Sequence, residues 1–287
     1  MLGLGIERKA LTALDKHVFL KKDFKPEEAV TIFGSHRSGT TWLMETLSRV
    51  PGYISVMEPF QPKWFPGSAR YQPRPNPKQP KITEYIKKTL EGKAKCTASK
   101  YKLNFKTLRR RYTGDKLLIK FVRANTLIEL VLKEFKVRTP VYIIRNPYAV
   151  ISSQLRTGIH PELTLLYKKQ STDIETTLTK VWYVDQKAPL NMNDSRLYKI
   201  KYEDMVTDPI KTMTPLLKRL RKEEHIHDIL ETIQRPSRTT ARPKVKDIDD
   251  KILNRWKNEL NKTQIKNITD TLEHFNFDYN EIQFQYQ

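Results

Sequence analysis

Ala29-Val-Thr-Ile-Phe-Gly34-Ser-His-Arg-Ser-Gly39-Thr-Thr-Trp42 is the stretch that decides the fold. Ala29 to Phe33 is short, β-branched and apolar, as a strand buried on both faces should be. Gly34 to Thr41 is a loop of small residues, and Trp42 to Val50 reads as a helix that Pro51-Gly52 stops. In a strand–loop–helix of this kind, backbone N–H groups point inward and the helix N-terminus adds partial positive charge, so the turn can cradle a phosphate. An ordinary strand-to-helix turn is the plain alternative. Such turns rarely combine two Gly, two Ser, two Thr and an Arg.

Outward from this stretch, strands and helices alternate. Tyr53 to Met57, Lys116 to Val122, Val141 to Ile144 and Leu197 to Lys201 read as strands. Thr126 to Phe135 reads as a helix. Asn146-Pro147 opens another, with Asn as N-cap and Pro at the first helical position. Further helices are expected near 210–221, 223–233 and 248–259. Alternation of this kind predicts an α/β fold: a single domain over 28–287 with a mainly parallel central sheet flanked by helices, P-loop-like. Residues 1–27 read as an N-terminal helical extension. Residues 59–112 read as a basic, Pro-rich insertion on the acceptor side. Eight of the 17 prolines fall in 51–80, which excludes an ordinary helix or central strand there. The aromatics Phe60, Trp64, Phe65 and Tyr71 favour an ordered loop over a solvated linker.

The 287 residues suit one α/β domain, and 38% hydrophobic and 10% aromatic content excludes wholesale disorder. A lone cysteine, Cys96, excludes a disulfide framework or a cysteine-built metal site within the chain. The six histidines are scattered, so no metal is expected. MLGLGI is too short for a secretory apolar region, and no apolar run is long enough to span a bilayer. These features give a cytoplasmic expectation. Leu11, Leu14 and Val18 share a helical face flanked by lysines, which leaves peripheral membrane contact open; packing on the domain is the favoured reading. Charge is the anomaly. There are 53 basic and 32 acidic residues, a net of +21, and residues 61–123 alone hold 18 basic and 3 acidic ones. A one-sided basic field favours an anionic partner.

The spacing Gly34-x4-Gly39 matches a nucleotide P-loop, but Thr40 stands where that motif needs Lys. No metal-holding Asp stands out after an apolar strand. Arg37-Ser38-Gly39-Thr40-Thr41-Trp42 instead resembles the 5′-phosphosulfate loop of the sulfotransferases that use 3′-phosphoadenosine-5′-phosphosulfate (PAPS). In that family a second element is a strand, an Arg, and a Ser eight residues later. Val141-Tyr-Ile-Ile-Arg145 through Ser153 has that form. Eight residues make about two helical turns, so the two side chains can converge on one 3′-phosphate. Tyr202-Glu-Asp-Met is similar to a third family element, with the Tyr near the adenine. Ser237, Arg238, Thr239 and Lys244 resemble the late loop that closes over the cofactor. The resemblance covers roughly 28–275. It implies PAPS as sulfuryl donor, the 3′,5′-bisphosphate PAP as product, and no metal.

Sulfuryl transfer also needs a base for the acceptor hydroxyl and donors for the departing phosphate oxygen. The small-molecule branch of the family places its base in a Lys-Thr-His context after a central strand. The matching strand here, Leu118-Ile-Lys120-Phe-Val-Arg123, has no His. That branch also carries Lys in the loop where this chain has Arg37. Arg37 and Glu58, in Val56-Met-Glu58-Pro-Phe60, instead resemble the Golgi-type carbohydrate and tyrosylprotein branch, though without its membrane anchor. Glu58 is therefore the expected base, assisted by Arg37. His36 is the second candidate and His160 a distant third. A carboxylate merely paired with a nearby Lys or Arg is the alternative for Glu58. The implied acceptor bears a hydroxyl, on an anionic polysaccharide, glycolipid or peptide, with carbohydrate or glycolipid favoured. Rival readings are a P-loop nucleotide kinase and a non-catalytic polyanion-binding protein. Nucleic acid is disfavoured, because the basic segment lacks a recognisable nucleic-acid motif.

Overall fold

A computed structural model describes residues 13, 22–62, 64–65, 80–94, 109, 112–158, 173–233 and 250–286. Of the sequence-stated positions, Leu11, Leu14, Val18, Tyr71, Cys96, His160, Ser237, Arg238, Thr239 and Lys244 lie outside these residues.

In chain order the elements are β1 Val30–Phe33, α1 Thr40–Leu47, β2 Tyr53–Met57, α2 Pro80–Leu90, β3 Lys116–Phe121, α3 Ile128–Phe135, β4 Thr139–Ile144 and α4 Pro147–Thr157. Then come α5 Ile174–Asn191, β5 Tyr198–Lys201, α6 Tyr202–Thr207, α7 Pro209–Leu220, α8 Ile226–Ile233, α9 Asp250–Leu253, α10 Trp256–Glu259 and α11 Lys262–His274. The strands form one sheet in the order β2-β3-β1-β4-β5, and every pairing is parallel. This is the single-domain α/β architecture that the alternation predicts.

Period-2 alternation sorts each strand between two apolar layers. Val30, Ile32, Leu118, Val141 and Ile143 face a layer that includes Leu43 and Leu47 of α1 and Leu216 and Leu217 of α7. Phe33, Ile119, Phe121, Tyr142 and Ile144 face the other layer, with Val150 and Ile151 of α4 and Trp182 of α5. The helices that leave neighbouring strands β1 and β4 thus cover opposite faces of the sheet. A crevice opens at such a switch point, beyond the carboxyl ends of the strands, and ligands of open α/β sheets bind there.

Three helices escaped the sequence reading: α5, α6 and α11. In α5 the buried positions include Glu175, Thr177, Thr179, Asp185 and Gln186, so a polar inner face hides the helical repeat. In α11, Asn261 and Gln264 form a complete capping box, a signal present in the sequence. The described part of the Pro-rich stretch is ordered: Phe60 is buried and its ring meets those of Phe65 and Tyr85, whose hydroxyl donates to Pro59 O at 2.6 Å.

Candidate active site

Every strand delivers a candidate residue to the same edge. β1 runs into the loop Gly34–Gly39, β2 leads directly into Glu58, β3 carries Lys120 one residue before its end, β4 leads directly into Arg145 and β5 runs straight into Tyr202.

The loop is closed tightly on itself and its neighbours. Ser38 Oγ donates to Ser35 O at 2.7 Å, and Gly34 N donates to Asn125 Oδ1 at 2.9 Å. Gly39 has φ +94°, and a Cβ there would lie 2.4 Å from the Tyr202 ring. Only glycine satisfies both the left-handed backbone and this approach. Behind Gly39, α1 begins at Thr40, so the amides of its first turn have no carbonyl partners within the helix. Trp42 packs 5.1 Å from Tyr202, ring centre to ring centre.

A cationic wall stands opposite. Arg145 stacks its guanidinium 4.1 Å from the Tyr202 ring centre and donates from Nη1 to Arg37 O at 3.3 Å. Its Nε is buried with no hydrogen bond inside the protein, as expected of a donor aimed at a ligand. Arg37 holds a left-handed conformation, φ +69°, and its Nε donates to Ser153 Oγ at 2.9 Å. Burial lowers the Arg37 pKa, with the charges of Arg145 and Arg156 adding to it. A buried guanidinium with two further cations beside it favours an anionic ligand. Arg37, Arg145, Ser153 and Tyr202 line one cleft of about 470 Å³, counting its open mouth, together with Arg156 and Arg255 among others. The structure brings Arg37 to Ser153 and Arg145, so the loop arginine belongs to the wall that the sequence assigned to the 3′-phosphate.

A second cluster forms beside α1. Lys120 is 2% exposed, and its Nζ donates to Glu58 Oε1 at 2.6 Å and to Thr41 Oγ1 at 2.7 Å. Gln61 Nε2 donates to Glu58 Oε2 at 2.7 Å, and Arg123 Nη1 stands 3.9 Å from the same oxygen. Burial works to raise the Glu58 pKa, but the charges of Lys120 and His36 and the bonds from Lys120 and Gln61 hold it down at about 2. Glu58 also sits at φ +43°, a strained backbone for a non-glycine residue. Glu58 is thus paired with a lysine, as its plainer reading has it, and that lysine reaches Thr41 of the loop. Lys120 is the residue the sequence reading missed. His36 is buried beside Gln154, whose Nε2 donates to His36 O at 3.3 Å.

The donor set fits a nucleotide bearing two phosphates. Among the described residues, no group of three or more His, Cys, Asp or Glu could hold a metal, and no helix is long and apolar enough to cross a membrane.

Comparison with known proteins bears on the fold and the family. No curated protein matches the sequence. Among solved structures, the sulfotransferase domain of the curacin biosynthetic pathway superposes with a TM-score of 0.51 at 16% identity, over 90% of this chain and 99% of that one. The sulfotransferase domain of the Synechococcus PCC 7002 olefin synthase matches at 0.49 and 21% identity, over 90% of this chain and 96% of that one. A mouse sulfotransferase complexed with PAP matches at 0.49 and 16%, over 94% and 89%. At these identities the first of the three speaks for the fold alone. The sulfotransferase family model matches residues 29–225, which is more than half of the chain and includes the phosphate loop, Glu58, Lys120, Arg145, Ser153 and Tyr202. The chain belongs to the sulfotransferase family.

Proposed function

We propose that the chain transfers the sulfuryl group of PAPS to an acceptor hydroxyl by in-line displacement, with PAP as the second product. The observation that carries this reading is the convergence of Arg37, Arg145, Ser153 and Tyr202 on one cleft beside the phosphate loop. PAPS supplies an activated sulfuryl group whose departure from phosphate needs no metal. Arg145 and Ser153 hold the 3′-phosphate, with Arg37 bridging them. Tyr202, in contact with Trp42 and Arg145, lies on the adenine side. The loop Arg37–Trp42 holds the 5′ side through its amides and the hydroxyls of Thr40 and Thr41, whereas the Ser38 hydroxyl is committed to Ser35 O. The resemblance alone assigns Ser237, Arg238, Thr239 and Lys244 to the cofactor.

Glu58 takes the proton of the acceptor hydroxyl. With its pKa held at about 2, it is ionised at any working pH but a weak base while Lys120 stays on it. Lys120 also reaches Thr41, so it stands between the carboxylate and the phosphate loop. As negative charge develops on the departing oxygen, Lys120 shifts toward it. Its hold on Glu58 loosens, and the proton affinity of Glu58 rises when the acceptor proton must leave. His36, buried near Glu58, contributes its charge to the same balance. The Arg37 and Glu58 pattern and the basic stretch 61–123 support an acceptor that is a carbohydrate or glycolipid, anionic in character. The same fields would serve a polyanion binder or a nucleotide kinase. Magnesium-independent turnover separates the present reading from the kinase, and stoichiometric PAP binding separates it from the binder.

Calorimetric titration with PAP tests the cofactor site. Arg145→Ala removes a charge-assisted donor from a partly desolvated pocket, a loss of about 2 kcal/mol, or roughly 30-fold in affinity. Unchanged affinity would overturn the assignment.

A further inference from the structure

Among the described residues, the wall of the cleft contains one carboxylate beside its arginines. Glu259 lies on α10 beside Arg37, Arg145, Arg156 and Arg255. Its side chain is 23% exposed. It accepts from the Ser152 hydroxyl, from Arg156 Nη1 with 2.6 Å to Oε1, and from Arg255 Nε at 2.5 Å. Burial works to raise its pKa, but Ser152 and the two arginines outweigh that and hold it below the usual carboxylate range. Glu259 is therefore an anion lodged where an anionic ligand is expected. The contact is close: Arg156 Nη2 stands 3.5 Å from Ser153 Oγ, the hydroxyl to which Arg37 donates.

A carboxylate in the wall of an anion pocket opposes its ligand unless it is neutralised. Here the neutralisation is divided. If Arg156 turned away, Ser152 and Arg255 would still hold Glu259, so the carboxylate would not be left buried and unpaired. Arg156, by contrast, needs only a small rotation to meet a ligand on Ser153.

We propose that Glu259 is an internal counter-anion of the cleft and that Arg156 is a ligand-binding residue held in reserve by it, exchanged on binding from the Glu259 carboxylate to the 3′-phosphate of the nucleotide. This rests on the cofactor reading above. A 3′-phosphate carries enough charge to compete for Arg156. A 3′-hydroxyl leaves the ion pair untouched. The exchange thus makes the cleft read the 3′-substituent, and selectivity comes from a competitor built into the site as well as from attraction.

The test is calorimetric titration of the full chain with PAP and, separately, with adenosine 5′-monophosphate. Glu259→Gln keeps the Ser152 bond but removes the competing charge. It should bind PAP about fivefold more tightly, the scale of one partly screened ion pair. Its affinity for the monophosphate should stay the same, which also reports an intact cleft. Adding Arg156→Ala to that variant should weaken PAP at least about tenfold, again sparing the monophosphate. PAP affinity that falls or stays level in Glu259→Gln would overturn the counter-anion role. A double variant indistinguishable from Glu259→Gln would overturn the role of Arg156. Wild-type protein that binds no PAP would overturn the cofactor reading itself, whereas wild type that binds PAP with an indifferent Glu259→Gln overturns this inference alone.

Discussion

Glu58 enters the site with its proton already gone, and that fixes how its removal should read out. Glu58→Gln keeps size and polarity but cannot take a proton, so kcat should fall about 10²–10⁴-fold while PAP affinity holds. Steady-state kinetics beside calorimetry checks this, and retained turnover with loss in His36→Ala would move the base to the histidine. Lys120→Met should also depress kcat, because the developing charge loses its nearest cation. The pair has a stability signature too. The folded pKa of Glu58, about 2, lies below its unfolded value. Its contribution is therefore present in full above about pH 4.5 and is lost as pH falls toward 2, on the order of 3 kcal/mol across that window. Acid denaturation of Glu58→Gln should be correspondingly flatter between those limits. Glu58 was legible in the sequence because it directly follows a strand. Lys120 carried a signal that went unread: a lysine inside Leu117-Leu-Ile-Lys120-Phe-Val. Parity puts it on the α1 side with Leu118, opposite Ile32 and Met57 of the adjoining strands, where a cation needs a partner to be buried.

Elements carry the site through their ends. Asn146 caps α4, accepting from the amides of Tyr148 and Ala149, and its own N–H donates to Glu203 Oε1 at 3.0 Å. Tyr279, far along the chain, donates to the other oxygen of Glu203 at 2.5 Å. The cap beside Arg145 and the start of α6 are thus tied to the C-terminal segment. Tyr279→Phe should cost about 1 kcal/mol, read as a shift in the urea midpoint at constant m, because a half-buried carboxylate oxygen loses its donor. At the other helix, Gly39→Ala forces a Cβ into the Tyr202 ring and an alanine into a left-handed turn. PAP binding should be abolished in calorimetry; retention would mean that the loop and Tyr202 can separate freely. The Asn146-Pro147 start was readable because both residues have fixed roles at helix N-termini. The Glu203–Tyr279 tie was not, since nothing local pairs residues so far apart. The α5 helix was hidden for a different reason: its inner face is satisfied by hydrogen bonds, such as Gln186 Nε2 to Trp182 O at 2.7 Å, rather than by apolar packing alone.

At the scale of the molecule, alternation made the parallel sheet legible, whereas the strand order was not, because β1 takes its partners β3 and β4 from distant parts of the chain. That order matters chemically. It sends α1 and α4 to opposite faces and leaves the crevice between β1 and β4 to be lined by arginines. Charge at this scale is +21, and among the described residues four arginines line the proposed cofactor cleft. Charge handled by guanidinium and lysine side chains needs no metal, so turnover should be unchanged in EDTA. Loss restored by magnesium would favour a kinase-like reaction. The 18 basic residues against 3 acidic in 61–123 are, on the proposed reading, a field for the acceptor. With PAPS saturating, raising ionic strength from about 0.05 to 0.3 M shortens the Debye length from roughly 14 to 6 Å. The KM of an anionic acceptor should therefore rise several-fold while kcat stays level, since long-range attraction acts on encounter and not on the chemical step. A neutral acceptor of the same hydroxyl type should show no such slope. Equal salt dependence for both acceptors would mean that the basic stretch does not face the acceptor, and that the anionic character proposed for it is wrong.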